Sequence, residues 1–294
     1  MWQGAFNICK KEGEVDKFYH CDRLFSSKRV LIDFAVPTKR RKERQMSAEL
    51  WQLHQTEILK STSVPFIISV TGTHSRPELG KLVADWRDKE GNPFPQADLG
   101  PRRMGVAFPL EEDGRLKCFP VSWAEYSLMS KKAIRDSLPE SERFHVLAIS
   151  CLARTHDGQF VLSFRSRKVS HYKNMYHVSA AGYLDLGSAM ASQSSFPQLF
   201  QELEEELGVA PTAVEFCQQL GLCRHAVPDS AVVEICYFAQ LKLTADELLD
   251  RAKGAKDGWE GKVTVCSAER ALEELKSKPM NPAGAATLML YFQV

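Results

Sequence analysis

The sequence lacks several features that would assign it to a special class of protein. Its 294 residues contain no run of about 18 consecutive apolar residues, which a membrane-spanning helix would need. The N-terminal stretch carries charges where a signal peptide would have its apolar segment. No internal repeat occurs, and the formal net charge is only +1. These absences argue against a repeat protein and a globally charged nucleic-acid binder, and they predict a cytoplasmic protein without a membrane partner.

The eight cysteines lack the spacing of a metal or disulfide site. They are scattered along the chain, with no C-x-x-C pair and no paired cysteine and histidine spacing of the zinc type. We therefore expect reduced thiols that act mostly as small core residues. The rest of the composition, with 44% hydrophobic and 26% charged residues, is typical of a globular protein.

Chain length predicts two domains. A chain of 294 residues exceeds the roughly 100 to 200 residues that usually share one core. We place a smaller α/β domain of unknown role at residues 1 to 140 and a second domain at residues 141 to 294. The boundary follows a predicted helix and precedes a regular strand, turn and strand pattern.

The N-terminal part alternates strand and helix signals. Apolar runs predict strands at 30 to 36 and 65 to 70. A helix is predicted from 47 to 60, because Ser47 has the character of a helix cap. Helical spacing of apolar residues predicts a second helix over 77 to 91 and a third over 122 to 138.

The C-terminal part has a sharper pattern. Residues 144 to 167 read as a strand, a turn and a strand, and 176 to 187 as another strand, followed by a helix that ends at Gly208. Further predicted strands cover 218 to 226, 231 to 241 and 262 to 267, and further predicted helices cover 244 to 253, 267 to 277 and 282 to 292.

The most informative segment is QELEEELGV, at residues 201 to 209. Positions three and four apart share a helix face, so Glu202, Glu205 and Glu206 form one acidic cluster. Hard cations such as Mg²⁺ prefer oxygen ligands and bridge carboxylates to phosphates, which gives this cluster a chemical purpose. For an isolated E-x-x-E-E, a solvated surface face is the more common explanation.

The surrounding residues resemble the Nudix box, whose pattern is G-x5-E-x7-R-E-U-x-E-E-x-G-U with U an aliphatic residue. Gln201 stands where the family has arginine. The downstream half of the box matches at Glu202, Leu203, Glu205, Glu206, Gly208 and Val209.

Two upstream registers are open. Rigid counting makes Gly187 the first glycine of the box and puts Gln193 in place of its glutamate. The second register makes Gly182 the first glycine, puts Ser188 in place of the glutamate and needs an insertion of five residues before the helix. We favour the second, because a polar loop absorbs an insertion easily and the strand pattern around Gly182 is kept.

The resemblance implies a metal site and a reaction. Glu202 and Glu206 would be direct ligands of Mg²⁺ or Mn²⁺, Glu205 a ligand or an orienting group, and the Ala181 carbonyl a further donor. The implied chemistry is attack of a metal-activated water on a phosphorus of a diphosphate. Glu202 is also a candidate general base.

Other candidate site residues lie outside the box. Glu234 on a later strand, or Asp229 in the loop before it, could serve as the general base. Arg165 and Arg167 alternate along a predicted strand, so both could grip a diphosphate from one face. Tyr183 could stack on a base or a sugar.

The resemblance therefore implies a Nudix α/β/α sandwich with a mixed sheet, preceded by the smaller domain. The expected activity is metal-dependent hydrolysis of the pyrophosphate bond in a nucleoside diphosphate linked to another group. The AAGYLD strand and the helix opened by NPAGAATLMLY, at 281 to 291, are similar to family members that act on ADP-ribose and nucleotide sugars. The displaced box, the insertion and the preceding N-terminal domain are similar to a branch that hydrolyses UDP-glucose and UDP-galactose. The alternative is a Nudix-fold module that binds a nucleotide for regulation without efficient hydrolysis.

The expected partner is accordingly a small nucleotide. The basic run at 39 to 44 is a weak signal for nucleic acid, which we do not expect as a partner, because the chain has no basic excess. A homodimer is compatible with the sequence.

Overall fold

The structure is a computed structural model that divides the chain into two compact units, Met1–Thr38 and Lys39–Val294. The first unit, which contains the strand predicted at 30 to 36, lies outside the described residues. The domain division expected at residue 140 stays a prediction and falls inside the second unit. The described residues are 50, 54 to 62, 66 to 70, 74 to 90, 103 to 106, 115 to 169, 171 to 185, 187, 192 to 258 and 260 to 294.

Eleven strands of the described part of the chain form a mixed sheet. They are β1 (Thr56–Ser61), β2 (Ile67–Val70), β3 (Arg103–Val106), β4 (Arg115–Val121), β5 (His145–Arg154), β6 (Phe160–Arg165), β7 (Tyr176–Val178), β8 (Ala180–Tyr183), β9 (Val214–His225), β10 (Val232–Leu241) and β11 (Gly261–Cys266). The helices are α1 (Pro77–Glu90), α2 (Trp123–Ser130), α3 (Lys132–Ser137), α4 (Phe196–Leu207), α5 (Ala245–Ala252), α6 (Ala268–Ser277) and α7 (Pro282–Phe292). The predicted α/β class with a mixed sheet is confirmed.

Strands β5 and β10 form the centre of the sheet. They run parallel, and both are almost entirely buried, as expected for strands covered on two faces. The main path of the sheet has the order β1-β9-β10-β5-β3-β4-β2. Strand β5 also pairs with β8 and with the start of β6, and β6 in turn pairs with β7 and β11. The sheet therefore branches along one edge of β5.

The two faces of this sheet are covered by different helices. Buried leucines of α4, Leu199, Leu203 and Leu207, share one cluster with Ile149 of β5 and Ile235 of β10. On the opposite face, α7 contacts strands β1, β5, β7, β9 and β10. Burial of these apolar side chains is the main source of stability, at about 25 cal/mol per Å² removed from water.

The structure corrects three sequence-based predictions. The helix expected from 47 to 60 is wrong over its second half, because Thr56–Ser61 is strand β1, paired with β9. Tertiary pairing outweighs local propensity there. The helix expected over 122 to 138 breaks at Lys131, which has extended backbone (ψ 113°). The strand expected over 176 to 187 is two strands, β7 and β8, whose partners are β6 and β5.

Among the described residues, no helix combines the length and apolar character that a membrane crossing requires. The second strand of the pattern expected over 144 to 167 stops at Arg165. The turn at 156 to 158 is present, and Gly158 has the positive φ of 84° that such a turn favours.

The end of helix α4 leads to a prediction. Gly208 caps the helix with a left-handed φ of 67°, and a Cβ there would lie 3.0 Å from the Arg251 carbonyl oxygen. We expect Gly208→Ala to lower the free energy of unfolding by about 1 to 2 kcal/mol. Gly80 lies inside α1 with no atom within 4 Å of a built Cβ. Gly80→Ala should therefore raise stability, by up to about 1 kcal/mol. Urea denaturation of both variants measures the contrast, and effects of equal sign would contradict it.

Candidate functional site

Helix α4 presents its acidic residues beside strand β8. Pro197 stands in the first turn, where its missing N–H is tolerated, and Gly208 ends the helix. Because Leu203 and Leu207 are buried against the sheet, the glutamates between them lie on the adjoining face of the helix. The segment that links β8 to α4 includes 186 and 188 to 191, which lie outside the described residues.

Glu202 lies against the backbone of Gly182. A Cβ added at Gly182 would be 2.0 Å from Oε1 of Glu202, so only a glycine permits this approach. The side chain of Gln198, one turn earlier, donates a hydrogen bond to the same Oε1 at 2.7 Å. Among the described residues, a Cβ at Gly187 would meet nothing within 4 Å. The glycine that contacts the acidic helix is therefore that of the register with the insertion.

Glu206 is held by the edge of β8. The backbone N–H of Ala181 donates to Oε1 of Glu206 at 3.0 Å. Ala181 stands opposite Ser150 in an antiparallel pair, and the neighbouring Leu184 N–H donates to the Leu147 carbonyl. Hydrogen-bonded and non-bonded residues alternate along such a pair, so the N–H and C=O of Ala181 both point away from β5. The Ala181 carbonyl thus faces the same edge as Glu206.

Glu205 has a different set of partners. Lys256 forms an ion pair with its Oε1 at 2.6 Å, and Gln201 donates to the same oxygen at 3.3 Å. Gln201 stands where the Nudix pattern has arginine, and its side chain is a hydrogen-bond donor to Glu205. The structure brings Glu202 and Glu206 together and turns Glu205 toward a lysine.

Glu260 is a further acidic residue that the sequence did not reveal. It precedes β11, which pairs with β6, and its carbonyl accepts a hydrogen bond from Ser166 N–H at 2.7 Å. Glu260 raises the pKa of Glu202 and of Glu206, so its carboxylate is close enough to add to their negative potential. No local motif marks this residue, because its place depends on a strand pairing across the fold.

These carboxyl groups share unfavourable electrostatics. The pKa of Glu202 is raised to about 7, first by burial and then by Glu205 and Glu260, against the opposing hydrogen bond from Gln198. The pKa of Glu206 is raised well above its usual range, first by burial and then by Glu202 and Glu260. Burial is also the main cause of the raised pKa of Glu260. The group needs positive charge to hold all its members ionised.

Two arginines supply part of that charge. Arg165, at the end of β6, lowers the pKa of Glu206 and Glu260, and its Nε donates to the His171 carbonyl at 3.4 Å. Arg103, on β3, lowers the pKa of Glu202 and forms an ion pair with Asp185. Arg103 was not among the residues predicted from sequence.

The other two predicted substrate-binding residues have local partners. Arg167 follows the end of β6, is exposed, and donates through Nε to the Asn174 side chain at 3.3 Å. The Tyr183 hydroxyl bonds that of Tyr126 at 2.7 Å, and the Arg103 guanidinium lies 5.5 Å from the centre of its ring. Because β6 ends at Arg165, Arg167 does not share a strand face with it. The Tyr183 ring is already in contact with the Arg103 guanidinium.

Glu234 lies on the other face of the sheet. Glu234 is on β10 and stands opposite Ala148 of the parallel strand β5. On its other side, Ala148 stands opposite Tyr183 of β8. Side chains directly opposite share a face and successive ones alternate, so Glu234 and Tyr183 face away from the side on which Gly182 contacts α4. Glu234 is buried and bonded to His225. The structure does not bring it to the acidic group.

Asp229, the alternative base, is likewise engaged elsewhere. Its Oδ1 accepts a hydrogen bond at 3.0 Å from the backbone N–H of Lys132, the first residue of α3. A carboxylate at the start of a helix is a common structural role.

The donor set suits a hard divalent cation in part. Two half-buried carboxyl groups, a third carboxylate and a strand carbonyl are oxygen ligands of the kind that Mg²⁺ or Mn²⁺ binds. Their mutual repulsion is what a cation would relieve. Within the part of the chain that the structure describes, however, no three acidic, histidine or cysteine side chains converge closely enough to form a ready-made metal site. Binding would require small side-chain movements.

Solved structures of low similarity were found by comparison. DR0079 from Deinococcus radiodurans is 14% identical, with a TM-score of 0.42, covering 65% of this chain and 98% of its own. Tm1382, a candidate Nudix hydrolase, is 13% identical, with a TM-score of 0.40, covering 66% of this chain and 100% of its own. The MutT protein from Methanosarcina mazei Go1 is 15% identical, with a TM-score of 0.30 and coverages of 50% and 90%.

No protein-family model and no curated protein matches the chain. With TM-scores no higher than 0.42 among these structures, their likeness alone assigns neither a family nor a function.

The raised pKa of Glu202 leads to a test of stability. A carboxyl whose pKa is higher in the folded state stabilises the fold while protonated, and this contribution disappears as pH rises through about 7. Glu202→Gln keeps a neutral acceptor for Gln198. Without metal, the variant should be more stable than the parent at pH 8, by up to about 3 kcal/mol, and similar to it at pH 4.5.

Urea denaturation in the presence of EDTA at both pH values measures this difference. Glu204→Gln is the matched control, because Glu204 is exposed on the same helix. The free energy of unfolding of Glu204→Gln should differ from that of the parent by the same small amount at each pH. If the difference in this free energy between the parent and Glu202→Gln does not change with pH, ionisation of Glu202 is not its cause.

Proposed function

We propose that this protein is a divalent-metal-dependent pyrophosphohydrolase of the Nudix type. It would hydrolyse the pyrophosphate bond of a nucleoside diphosphate linked to another group. The observation that carries the proposal is the position of two helix acids against strand β8, with Glu202 on the backbone of Gly182 and Glu206 on the Ala181 N–H. Glu260 and Arg165 are near enough to shift the pKa of Glu206. A partly buried group of acids with an adjacent arginine suits a metal and a phosphate together.

Glu202 and Glu206 would hold the cation, with the Ala181 carbonyl as a further donor and Glu260 as an additional acid. A bound Mg²⁺ or Mn²⁺ would supply an activated water and offset the charge on the phosphate oxygens. Glu205 would orient neighbouring groups through Gln201 and Lys256 rather than bind the metal directly. Where one carboxylate oxygen of Glu202 stays off the cation, Glu202 is the candidate base at this site, because Glu234 and Asp229 lie away from it.

Positive side chains would hold the phosphates. Arg165 is near Glu206 and Glu260, and Arg103 is near Glu202, so a diphosphate between them would contact both a cation and a guanidinium. The Nudix resemblance of the sequence favours a nucleotide sugar as substrate, giving a nucleoside monophosphate and a sugar phosphate. Tyr183 faces the other side of the sheet, so it would act on the substrate only through Arg103, whose guanidinium lies 5.5 Å from the centre of its ring.

A second function is favoured by a separate observation. The described residues hold no ready-made group of three metal ligands, and Gln201 replaces the box arginine. These features suit a Nudix-fold module that binds a nucleotide for regulation and hydrolyses it poorly. Such a module would be stabilised against heat by a nucleotide without releasing product.

A substrate panel distinguishes the two functions. The panel contains UDP-sugars, ADP-sugars, ADP-ribose, dinucleotides and nucleoside triphosphates, each with Mg²⁺ or Mn²⁺, and products are identified by mass. We expect multiple turnovers of a nucleotide sugar. Removal of a residue that only supports a metal ligand lowers activity by roughly 10- to 100-fold. The activity of Glu206→Gln should fall by more than this, because the proposed ligand itself loses its charge. Glu204→Gln, exposed on the same helix, should retain activity. Undiminished turnover by Glu206→Gln would refute the mechanism.

The close approach at Gly182 gives an independent test. In Gly182→Ala, the added Cβ would collide with the Glu202 carboxylate, which must then leave its position. We expect affinity for Mn²⁺, measured by calorimetry, to fall by about tenfold or more. Gly187→Ala is the matched control, since a Cβ there meets nothing within 4 Å, and it should bind Mn²⁺ normally. Equal affinities of the two variants would show that Glu202 is not a ligand.

A further inference from the structure

A buried hydrogen-bonded chain lies on the sheet face opposite helix α4. Glu234 Oε1 and His225 Nε2 are 3.0 Å apart, and their side chains are only 7% and 2% exposed. His225 Nδ1 is 3.0 Å from the Tyr172 hydroxyl and 3.2 Å from Ser230 Oγ. Because a carboxylate only accepts, Nε2 of His225 carries the proton that Glu234 accepts, and Nδ1 bonds the Tyr172 hydroxyl and Ser230 Oγ. Glu234 therefore orients His225, which in turn orients Tyr172.

Tyr172 has a backbone conformation that needs such support. Its φ is 53°, in the left-handed region, which costs a bulky residue about 1 kcal/mol or more. The ring of Tyr172 also packs edge-on against the His225 ring, with centroids 5.6 Å apart. Together these contacts fix the conformation of the segment between β6 and β7.

That same segment contacts Arg165. The carbonyl of His171, next to Tyr172 in the chain, accepts the Arg165 Nε hydrogen bond. Arg165 also exchanges backbone hydrogen bonds with Met175 and Asn174 across the hairpin. Arg165 is the guanidinium that offsets the negative charge of Glu206 and Glu260. A rotation of the Tyr172 backbone would move the His171 carbonyl, which orients the Arg165 side chain.

We propose that Glu234, His225 and Tyr172 are positioning residues that hold Arg165 in place to receive an anionic phosphate at the acidic group. This inference rests on the proposed function for the location of the phosphate. It gives Glu234 a role through Arg165, on the far side of the sheet, in place of the general-base role considered from sequence. Oε2 of Glu234 has no hydrogen-bond partner among the described residues, so His225 is the side chain through which this carboxylate acts.

The test measures binding of inorganic pyrophosphate with Mg²⁺ by calorimetry, using the full chain. We expect Tyr172→Phe to weaken binding by about fivefold, the effect of losing one hydrogen bond. Glu234→Gln keeps an acceptor for His225 but loses the carboxylate charge, so it should weaken binding by less than Tyr172→Phe. Tyr291→Phe is the matched control, since the buried hydroxyl of Tyr291 has no hydrogen-bond partner among the described residues. It should bind pyrophosphate as the parent does.

A double-mutant cycle separates positioning from a general loss of structure. In an Arg165→Lys background, Tyr172→Phe should have little further effect, because the group that it positions is already changed. Steady-state kinetics should show the Tyr172→Phe effect mainly in KM. Hydrogen exchange in residues 171 to 175 should be faster in Tyr172→Phe and Glu234→Gln than in Tyr291→Phe.

Each outcome is decisive. Parent-like binding by Tyr172→Phe, or a loss that persists undiminished in the Arg165→Lys background, would overturn the positioning role. Failure of the parent to bind pyrophosphate would overturn it as well. Pyrophosphate binding with the expected cycle, but without turnover in the substrate panel, would support the positioning role and refute the proposed hydrolase. If Tyr172→Phe does not fold, Glu234→Gln in the same cycle decides between these outcomes.

Discussion

The close approach of the Glu202 carboxylate to the backbone of Gly182 is the contact on which the candidate site depends. It exists only because residue 182 has no side chain. Next to it along β8, the Ala181 N–H donates to Glu206. A larger residue at 182 would displace the Glu202 carboxylate. The position of this acid thus depends on a glycine outside the helix.

The site concentrates negative charge where water is scarce. Burial and like charge raise the pKa of Glu202, Glu206 and Glu260, and two arginines offset only part of this effect. Natural proteins retain such destabilising groups mainly where a function requires them. Glu205 lies at the edge of this group, where Lys256 already balances its charge. Because such an ion pair lies partly in solvent, it adds little to stability.

The two faces of the sheet carry different polar groups, and Arg165 interacts with both. One face carries helix α4 and its acids. The other carries the chain from Glu234 through His225 to Tyr172. Segments between strands are usually the most variable parts of a fold, so an arginine at the end of β6 that binds a phosphate, as proposed, would need support from buried residues. Hydrogen bonds to rigid strands β9 and β10 provide that support.

Local sequence was sufficient for the acidic helix and for most strands. Helical spacing placed Glu202, Glu205 and Glu206 on one face, and the cap at Gly208 was predicted correctly, because 3.6-residue periodicity and capping depend on nearby residues. Sequence alone failed at Thr56–Ser61, where pairing with β9 determines the strand. It also could not distinguish the partners of Glu205 from those of Glu206. Only the tertiary structure brought Glu260 and Arg103 to the acids and placed Glu234 behind the sheet, because strand pairing between distant segments decides which side chains meet.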